Sequence, residues 1–263
     1  MVTIPAVAGF VCLYYGNTGS SWLLSALASS REVFMTGFES VERWAWDVPA
    51  DERLAWLEKA MTPPEDRSGS ALEDWFEALR ASPQVKQKPM NPNFTYTCLK
   101  MSDLPVTDTD AVIDVIDRTG AKAIHLVREN RLKHALSLYR YHEEEKSQFH
   151  GQENYDPTRV NFVKFHKWLR ESARLHDQAM EVRETCINRL GSDRVFPLAY
   201  EEFQDDAGKI GVLERIAAFL DIPAEFDEGK FTKATPDSLR QAISNYTMFR
   251  LRYRFTPHAK YVD

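Results

Sequence analysis

The residues best suited to chemistry stand in a short glycine-containing turn near the N-terminus. The turn and its flank are Gly16, Asn17, Thr18, Gly19, Ser20, Ser21 and Trp22. The two glycines allow a tight turn, and the serines stand where a helix is expected to begin. Backbone N–H groups and the helix dipole favour an anion at such a point. The turn is therefore a candidate phosphate-binding loop, the alternative being a plain strand-to-helix turn that one of the serines caps.

A second candidate anion site lies further along the chain, where an apolar run ends at Arg128 and a helical pattern carries Ser137. A guanidinium donates two hydrogen bonds to one phosphate, and a hydroxyl completes the contact without adding charge. The alternative is that Arg128 forms a surface salt bridge at a sheet edge and Ser137 faces solvent.

The turn is not a Walker A loop, because no lysine follows its second glycine and its spacing is too short. ATP or GTP hydrolysis is therefore disfavoured. Residues 18 to 23 instead resemble the 5′-phosphosulfate loop of sulfotransferases that use 3′-phosphoadenosine 5′-phosphosulfate (PAPS), although Asn17 replaces the lysine or arginine of that family. The strand before Arg128 and the helix with Ser137 resemble the family's 3′-phosphate site, and residues 200 to 203 resemble one of its late turns.

The resemblance also implies where a catalytic base would lie. Cytosolic sulfotransferases use a histidine, and Asp103 stands at the corresponding position here. Trehalose-type bacterial, heparan and tyrosylprotein sulfotransferases use a glutamate, which corresponds to Glu39. We favour Glu39 as the base, the alternative being that it caps a helix starting near Ser40. Lys100 resembles a lysine that would offset the charge on the bridging oxygen; otherwise its ammonium group only extends to solvent at a sheet end.

Five short apolar runs must position these residues, and most are followed by helix-like or polar segments. They are residues 7 to 15, 33 to 37, 94 to 101, 122 to 127 and 195 to 200. This alternation predicts an α/β fold with a parallel sheet, and the resemblance implies a P-loop-NTPase-like sheet flanked by helices. We expect one sulfotransferase-like domain over residues 1–263, with a helical cap insertion at about 42–93 above the carboxyl edge of the sheet.

Composition excludes several other classes of function. The net charge of −6 provides no field that would attract nucleic acid or an anionic membrane. No uncharged apolar run reaches the ~18 residues that a membrane-spanning helix requires. The three cysteines are far apart and form no CxxC pair, so we expect reduced thiols and no metal site. These features predict a cytoplasmic protein.

The resemblance implies a sulfotransferase that moves a sulfuryl group from PAPS to a hydroxyl or amine of a small-molecule or carbohydrate acceptor. 3′-Phosphoadenosine 5′-phosphate (PAP) would be the by-product. The alternative is a catalytically impaired PAP-, PAPS- or nucleotide-binding protein of the same fold, because Asn17 stands where the family has a cation. A P-loop kinase is disfavoured because the Walker lysine and a clear magnesium-binding aspartate are missing.

Overall fold

The structure is a computed structural model, and it describes most of the chain with several internal gaps. The described residues are 8–38, 47–65, 70–82, 85, 94–102, 109–144, 155–227, 236 and 238–262. Five of the described segments are strands. They are β1 (Ala8–Tyr14), β2 (Val33–Phe38), β3 (Tyr96–Ser102), β4 (Lys122–Val127) and β5 (Val195–Ala199).

Helices connect and cover these strands. They are α1 (Ser20–Leu27), α2 (Ala50–Met61), α3 (Ser70–Leu79), α4 (Thr109–Arg118), α5 (Arg131–Glu143), α6 (Phe162–Leu190), α7 (Asp206–Leu220), α8 (Leu239–Ala242) and α9 (Tyr246–Tyr253). Two short 3₁₀ helices span Tyr200–Phe203 and Ala259–Tyr261. Over the described ranges, none of the helices combines the length and the apolar character needed to cross a bilayer.

All five strands are parallel and form one sheet in the order β2-β3-β1-β4-β5. The α/β fold class and the five predicted strands are therefore confirmed. Strand β5 ends at Ala199, one residue earlier than predicted, because the backbone turns into a 3₁₀ helix at Tyr200. Helix α6 is the longest of the described helices, with 29 residues.

The pleat of β1 divides the core into two layers. Val11 and Leu13 share a buried cluster with residues of α2, α3, α4 and the end of α6. Phe10, Cys12 and Tyr14 share another cluster with α1 and α7. Because successive side chains of a strand point to opposite faces, β1 is covered on both sides, as its unbroken apolar run predicts.

The strand order places the two candidate anion sites side by side. Strand β1 lies between β3 and β4, and Tyr14 at its end pairs with Ser102 on one side and Leu126 on the other. Strands β2 and β3, which follow β1 in the sequence, lie on one side of it, and β4 and β5 lie on the other. The strand order therefore reverses at β1, which is the topological switch point of the sheet. Open α/β sheets bind ligands outside the carboxyl ends of their strands at such a point.

Two described helices, α2 and α3, belong to the segment predicted to be a cap. Helix α2 contacts β1, β3 and α4, and Trp56 and Leu57 lie in the same buried cluster as Val11. This part of the insertion therefore packs on one face of the sheet. The division of the chain into a single domain with a cap stays a prediction.

The close contact between α2 and β1 depends on a glycine. A Cβ atom at Gly9 would lie 2.6 Å from Sδ and 3.1 Å from Cα of Met61. We expect Gly9→Ala to lower the free energy of unfolding by about 1–3 kcal/mol. The added methyl group would overpack this contact, so that α2 or β1 would have to shift. Chemical denaturation measures this change.

Gly211, inside α7, is the matched control for this substitution, since a Cβ there meets no atom within 4 Å. Gly211→Ala is expected to raise stability by up to about 1 kcal/mol through helix propensity. Equal effects of the two substitutions would contradict the close α2–β1 contact.

Candidate functional site

The loop between β1 and α1 has an unusual backbone. Asn17 and Gly19 both lie in the left-handed region, with φ angles of 67° and 80°. Asparagine tolerates this region better than other residues with a side chain, and glycine enters it without cost. A Cβ atom at Gly19 would also lie 2.7 Å from two ring carbons of Tyr200. The second glycine of the turn is thus required both by its φ angle and by a neighbouring ring.

The N-terminus of α1 is not closed by a side chain. Gly19 is the N-cap residue, and no side chain forms a capping hydrogen bond there. Ser20 and Ser21 lie inside the helix, so the reading of either serine as a plain N-cap is wrong. The first turn of α1 also contains no acidic residue. The helix therefore begins with N–H groups and a positive dipole end that suit an anion.

Arg128 lies beside this loop with its side chain only 5% exposed. Its Nη1 donates to the carbonyl oxygen of Asn17 at 3.0 Å, and its guanidinium carbon lies 4.6 Å from the ring centroid of Tyr200. Its buried Nε has no hydrogen-bond partner among the described residues. A buried arginine normally has a carboxylate partner. Arg128 has none within the described part of the chain, which contradicts the alternative of a surface salt bridge.

The backbone of Arg128 is held by Tyr15, the first residue after β1. The Tyr15 hydroxyl accepts from the Arg128 N–H at 2.9 Å and donates to the Arg128 carbonyl oxygen at 2.7 Å. Both contacts are buried, and Tyr15 is fully covered. One phenol therefore joins the carboxyl ends of β1 and β4, which places Arg128 against the loop.

A buried histidine on α5 holds the next loop residue. His134 Nε2 lies 2.9 Å from the carbonyl oxygen of Gly16, and Nδ1 lies 2.8 Å from Ser172 Oγ on α6. Burial lowers the pKa of His134 to about 3, and the positive charge of Arg128 lowers this pKa in the same direction. The imidazole is therefore neutral at physiological pH.

The turn after β5 completes the surroundings of Arg128. Tyr200 lies against the guanidinium, and burial raises the pKa of its phenol. The Glu201 carboxylate accepts from the backbone N–H groups of Glu129 and Asn130, both at 3.0 Å. Glu201 thus closes the start of α5 instead of neutralising Arg128.

Two hydroxyl residues predicted for the site differ in their surroundings. Thr18 is 0% exposed, and its Oγ1 has no hydrogen-bond partner among the described residues. Ser137 is half-buried on α5, three residues after His134, so it lies on roughly the same helix face as the histidine that contacts Gly16. A buried hydroxyl without a partner costs free energy, and a bound anion would remove that cost at Thr18.

Of the predicted catalytic residues, only Lys100 is among the described ones. It is 8% exposed, pairs with Cys12 in the sheet, and holds its Nζ 4.4 Å from the ring centroid of Tyr14. Its ammonium group therefore lies beside the last residue of β1. Glu39 and Asp103 lie outside the described residues, and their roles stay predictions.

Trp22, the last residue predicted for the loop, packs against the turn after β5. Its ring stacks on Phe203 with centroids 5.1 Å apart and planes 18° apart. This contact, with that of Tyr200 on Gly19, fixes α1 against the turn after β5.

Sequence reasoning missed three residues of this arrangement: Tyr15, His134 and Glu201. Tyr15 directly precedes the glycine-containing turn and His134 lies between Arg128 and Ser137, but neither pattern assigns them a role, and only the resemblance of residues 200 to 203 pointed towards Glu201. Their partners are far away in the sequence, so no local spacing indicates the contacts.

A pH dependence of stability follows from His134. Its folded pKa of about 3 lies below its ordinary value of 6.5. Between pH 6.5 and pH 3, His134 is therefore protonated in the unfolded chain and neutral in the folded one. The free energy of unfolding falls as the pH decreases from 6.5 towards 3. His134 is expected to contribute up to about 1.4 kcal/mol per pH unit to the slope of the free energy of unfolding against pH.

The measurement is the free energy of unfolding against pH for the wild type and His134→Gln. The glutamine variant should lose this part of the slope while keeping the contributions of other groups. Parallel profiles for the two proteins would show that His134 is not held neutral by the fold.

The backbone at Gly19 allows a further test of the loop. Gly19→Ala should lower stability by roughly 1–3 kcal/mol, because alanine resists a left-handed φ and meets the Tyr200 ring. Gly16→Ala is the matched control, since a Cβ at Gly16 meets no atom within 4 Å, and it should stay within about 1 kcal/mol of wild type. Thermal or urea unfolding distinguishes the two variants. A Gly19→Ala variant as stable as the wild type would refute this loop geometry.

Comparison with known proteins is informative only at the level of three-dimensional structure. The sequence matches no family model and no curated protein. The chain is similar to a sulfotransferase from Alicyclobacillus acidocaldarius, with 13% identity and a TM-score of 0.48 over 98% of this chain and 94% of that one.

Two further solved structures are similar to the chain. A mouse sulfotransferase complexed with PAP has 16% identity and a TM-score of 0.44 over 82% of this chain and 60% of that one. A sulfotransferase domain from the curacin biosynthetic pathway has 15% identity and a TM-score of 0.42 over 84% of this chain and 75% of that one. These likenesses concern the fold alone, and all three of these structures are sulfotransferases or sulfotransferase domains.

Proposed function

We propose that this chain is a PAPS-dependent sulfotransferase. It transfers the sulfuryl group of PAPS to a hydroxyl or amine of a small-molecule or carbohydrate acceptor and releases PAP. The single observation that carries the proposal is the buried guanidinium of Arg128, which has no carboxylate partner among the described residues and donates to the loop carbonyl of Asn17. An anionic ligand at this point would supply the missing negative charge.

The described residues fit a ligand with two separate phosphate groups. The uncapped start of α1 and the unpartnered Thr18 Oγ1 suit the 5′-phosphosulfate. The guanidinium of Arg128, which has no carboxylate partner among the described residues, suits the 3′-phosphate together with the half-buried Ser137. A ligand with a single phosphate would use only one of the two features, whereas PAPS uses both.

Bound PAPS supplies an activated sulfuryl group, and the protein's residues arrange the transfer. The acceptor oxygen or nitrogen forms a bond to sulfur while the bond between sulfur and the bridging phosphate oxygen breaks. The proton of the acceptor passes to a carboxylate, for which we propose Glu39, with Asp103 as the second candidate. The negative charge on the bridging oxygen is offset by the loop N–H groups and by Lys100, whose Nζ lies beside Tyr14.

The absence of a cation at Asn17 favours a second candidate, a protein that binds PAP or PAPS without transferring sulfate. A neutral amide forfeits a charge-assisted hydrogen bond worth ~1.5–3 kcal/mol. This loss corresponds to about ten- to a hundredfold in rate, which slows an enzyme without abolishing its activity. Lys100 lies on the strand next to β1, and we propose that it replaces part of the missing charge.

The two candidates are distinguished by PAPS labelled in the sulfuryl group, offered with a panel of alcohols, amines and glycans. We expect transfer by the wild type and a ten- to hundredfold weaker affinity for PAP in Arg128→Ala, about the loss of one charge-assisted contact. Glu39→Gln should lower turnover by roughly 10²–10⁴ and leave PAP affinity unchanged. Asp103→Asn is the parallel variant for the second candidate base.

Arg189→Ala is the control for charge, since Arg189 pairs with Asp110 and Asp114 on α4 and is remote from the loop in the sheet topology. It should bind PAP as the wild type does. PAP binding without transfer to any acceptor would favour the non-catalytic candidate. Unchanged PAP affinity in Arg128→Ala would refute the assignment of this arginine to the 3′-phosphate.

A further inference from the structure

The proposed function leaves one buried titratable group of the site without a role. His134 is 0% exposed, and both of its ring nitrogens have polar neighbours. Nε2 lies 2.9 Å from the carbonyl oxygen of Gly16, and Nδ1 lies 2.8 Å from Ser172 Oγ. A histidine with two satisfied nitrogens and a contact to the loop backbone is suited to holding that backbone in place.

The chemistry of the two neighbours fixes the tautomer. A carbonyl oxygen only accepts, so Nε2 carries the hydrogen and donates to Gly16. In the neutral ring Nδ1 then accepts, and the Ser172 hydroxyl is its donor. The alternative acceptor for that hydroxyl, the Arg131 carbonyl oxygen, is further away at 3.3 Å. Burial and the charge of Arg128 both lower the pKa of His134, which keeps this neutral form.

The contact has a geometric consequence for the next N–H group. In a trans peptide the C=O and the following N–H point in opposite directions, and no described peptide bond is cis. A hydrogen bond from His134 to the Gly16 carbonyl therefore turns the Asn17 N–H away from α5. The bond from Arg128 Nη1 to the Asn17 carbonyl likewise fixes the direction of the Thr18 N–H.

The Asn17 N–H has no hydrogen-bond partner within the described ranges of the chain. Asn17 is left-handed, with a φ of 67°. Successive N–H groups around a left-handed residue form a concave nest that binds anions. The nest precedes α1, whose N-terminus is also uncapped.

We propose that His134 is a positioning residue that presents the Asn17 N–H to the 5′-phosphosulfate end of the ligand by holding the Gly16 carbonyl. The inference rests on the proposed function for the identity of the ligand. It does not rest on it for the geometry of the loop. His134 touches no reacting atom, and its effect on binding passes through the loop backbone.

The variants His134→Leu and His134→Gln separate positioning from filling of space. Leucine fills part of the volume and donates no hydrogen bond, whereas the glutamine amide retains an N–H donor at similar reach. His125→Gln is the matched control, because His125 is equally buried in β4 but is bonded to Arg183 of α6. Each variant is titrated with PAP and, separately, with inorganic pyrophosphate, and the Asn17 and Thr18 N–H signals are followed by NMR.

We expect His134→Leu to bind both ligands about tenfold more weakly, the loss of one oriented hydrogen bond. His134→Gln should recover most of the affinity, and His125→Gln should stay within about twofold of wild type. In the wild type, the imidazole nitrogens should show the Nε2–H tautomer without titration between pH 5 and 8. If the leucine variant does not fold, the shorter amide of His134→Asn takes its place in the comparison with glutamine.

Wild-type affinity in a folded His134→Leu, or a His134 that titrates between pH 5 and 8, would overturn the inference and leave the proposed function standing. A different result would refute the proposed function and support His134 as a positioning residue. In that case pyrophosphate binding is lost in His134→Leu and recovered in His134→Gln, while neither the wild type nor any variant binds PAP. A wild type that binds neither ligand would overturn both.

Discussion

The hydrogen bond from Arg128 to the carbonyl oxygen of Asn17 is the interaction on which the site depends. It places a buried positive charge beside the first loop, although no described carboxylate pairs with that charge. A guanidinium removed from water is costly unless oxygen atoms or an anion surround it. The Asn17 carbonyl and the face of Tyr200 meet part of this need, and Nε is buried without a hydrogen-bond partner among the described residues.

The same interaction gives a physical reason for asparagine at position 17. Its left-handed φ of 67° is the conformation in which the loop carbonyl is bonded to Arg128. Asparagine is several-fold enriched at such angles, whereas a long cationic side chain is not. The residue that looks like a defect against the sulfotransferase pattern is therefore suited to the backbone it occupies. Arg128, which donates to the Asn17 carbonyl oxygen, brings a positive charge to this loop from the end of β4.

Local sequence was sufficient for the sheet and for the loop, because both leave short-range patterns. The apolar runs predict the five strands, and the glycines and hydroxyls mark the turn before α1. The contacts of Tyr15, His134 and Glu201 could not be predicted, because each joins segments that are far apart in the sequence. The face on which α2 packs depends equally on tertiary contacts, here with β1 and β3. The roles of Glu39 and Asp103 rest on the resemblance alone.

A neutral histidine suits this position better than a charged one. The site already buries the guanidinium of Arg128, and a second buried cation on α5 would add repulsion in the absence of a ligand. A neutral imidazole can still donate to Gly16 while adding no charge. Hydrogen bonds within the chain thus tie the consecutive loop residues 15, 16 and 17 to the β4–α5 region. The binding energy of the proposed ligand need not be spent on ordering these residues, which is the advantage of a preorganised site.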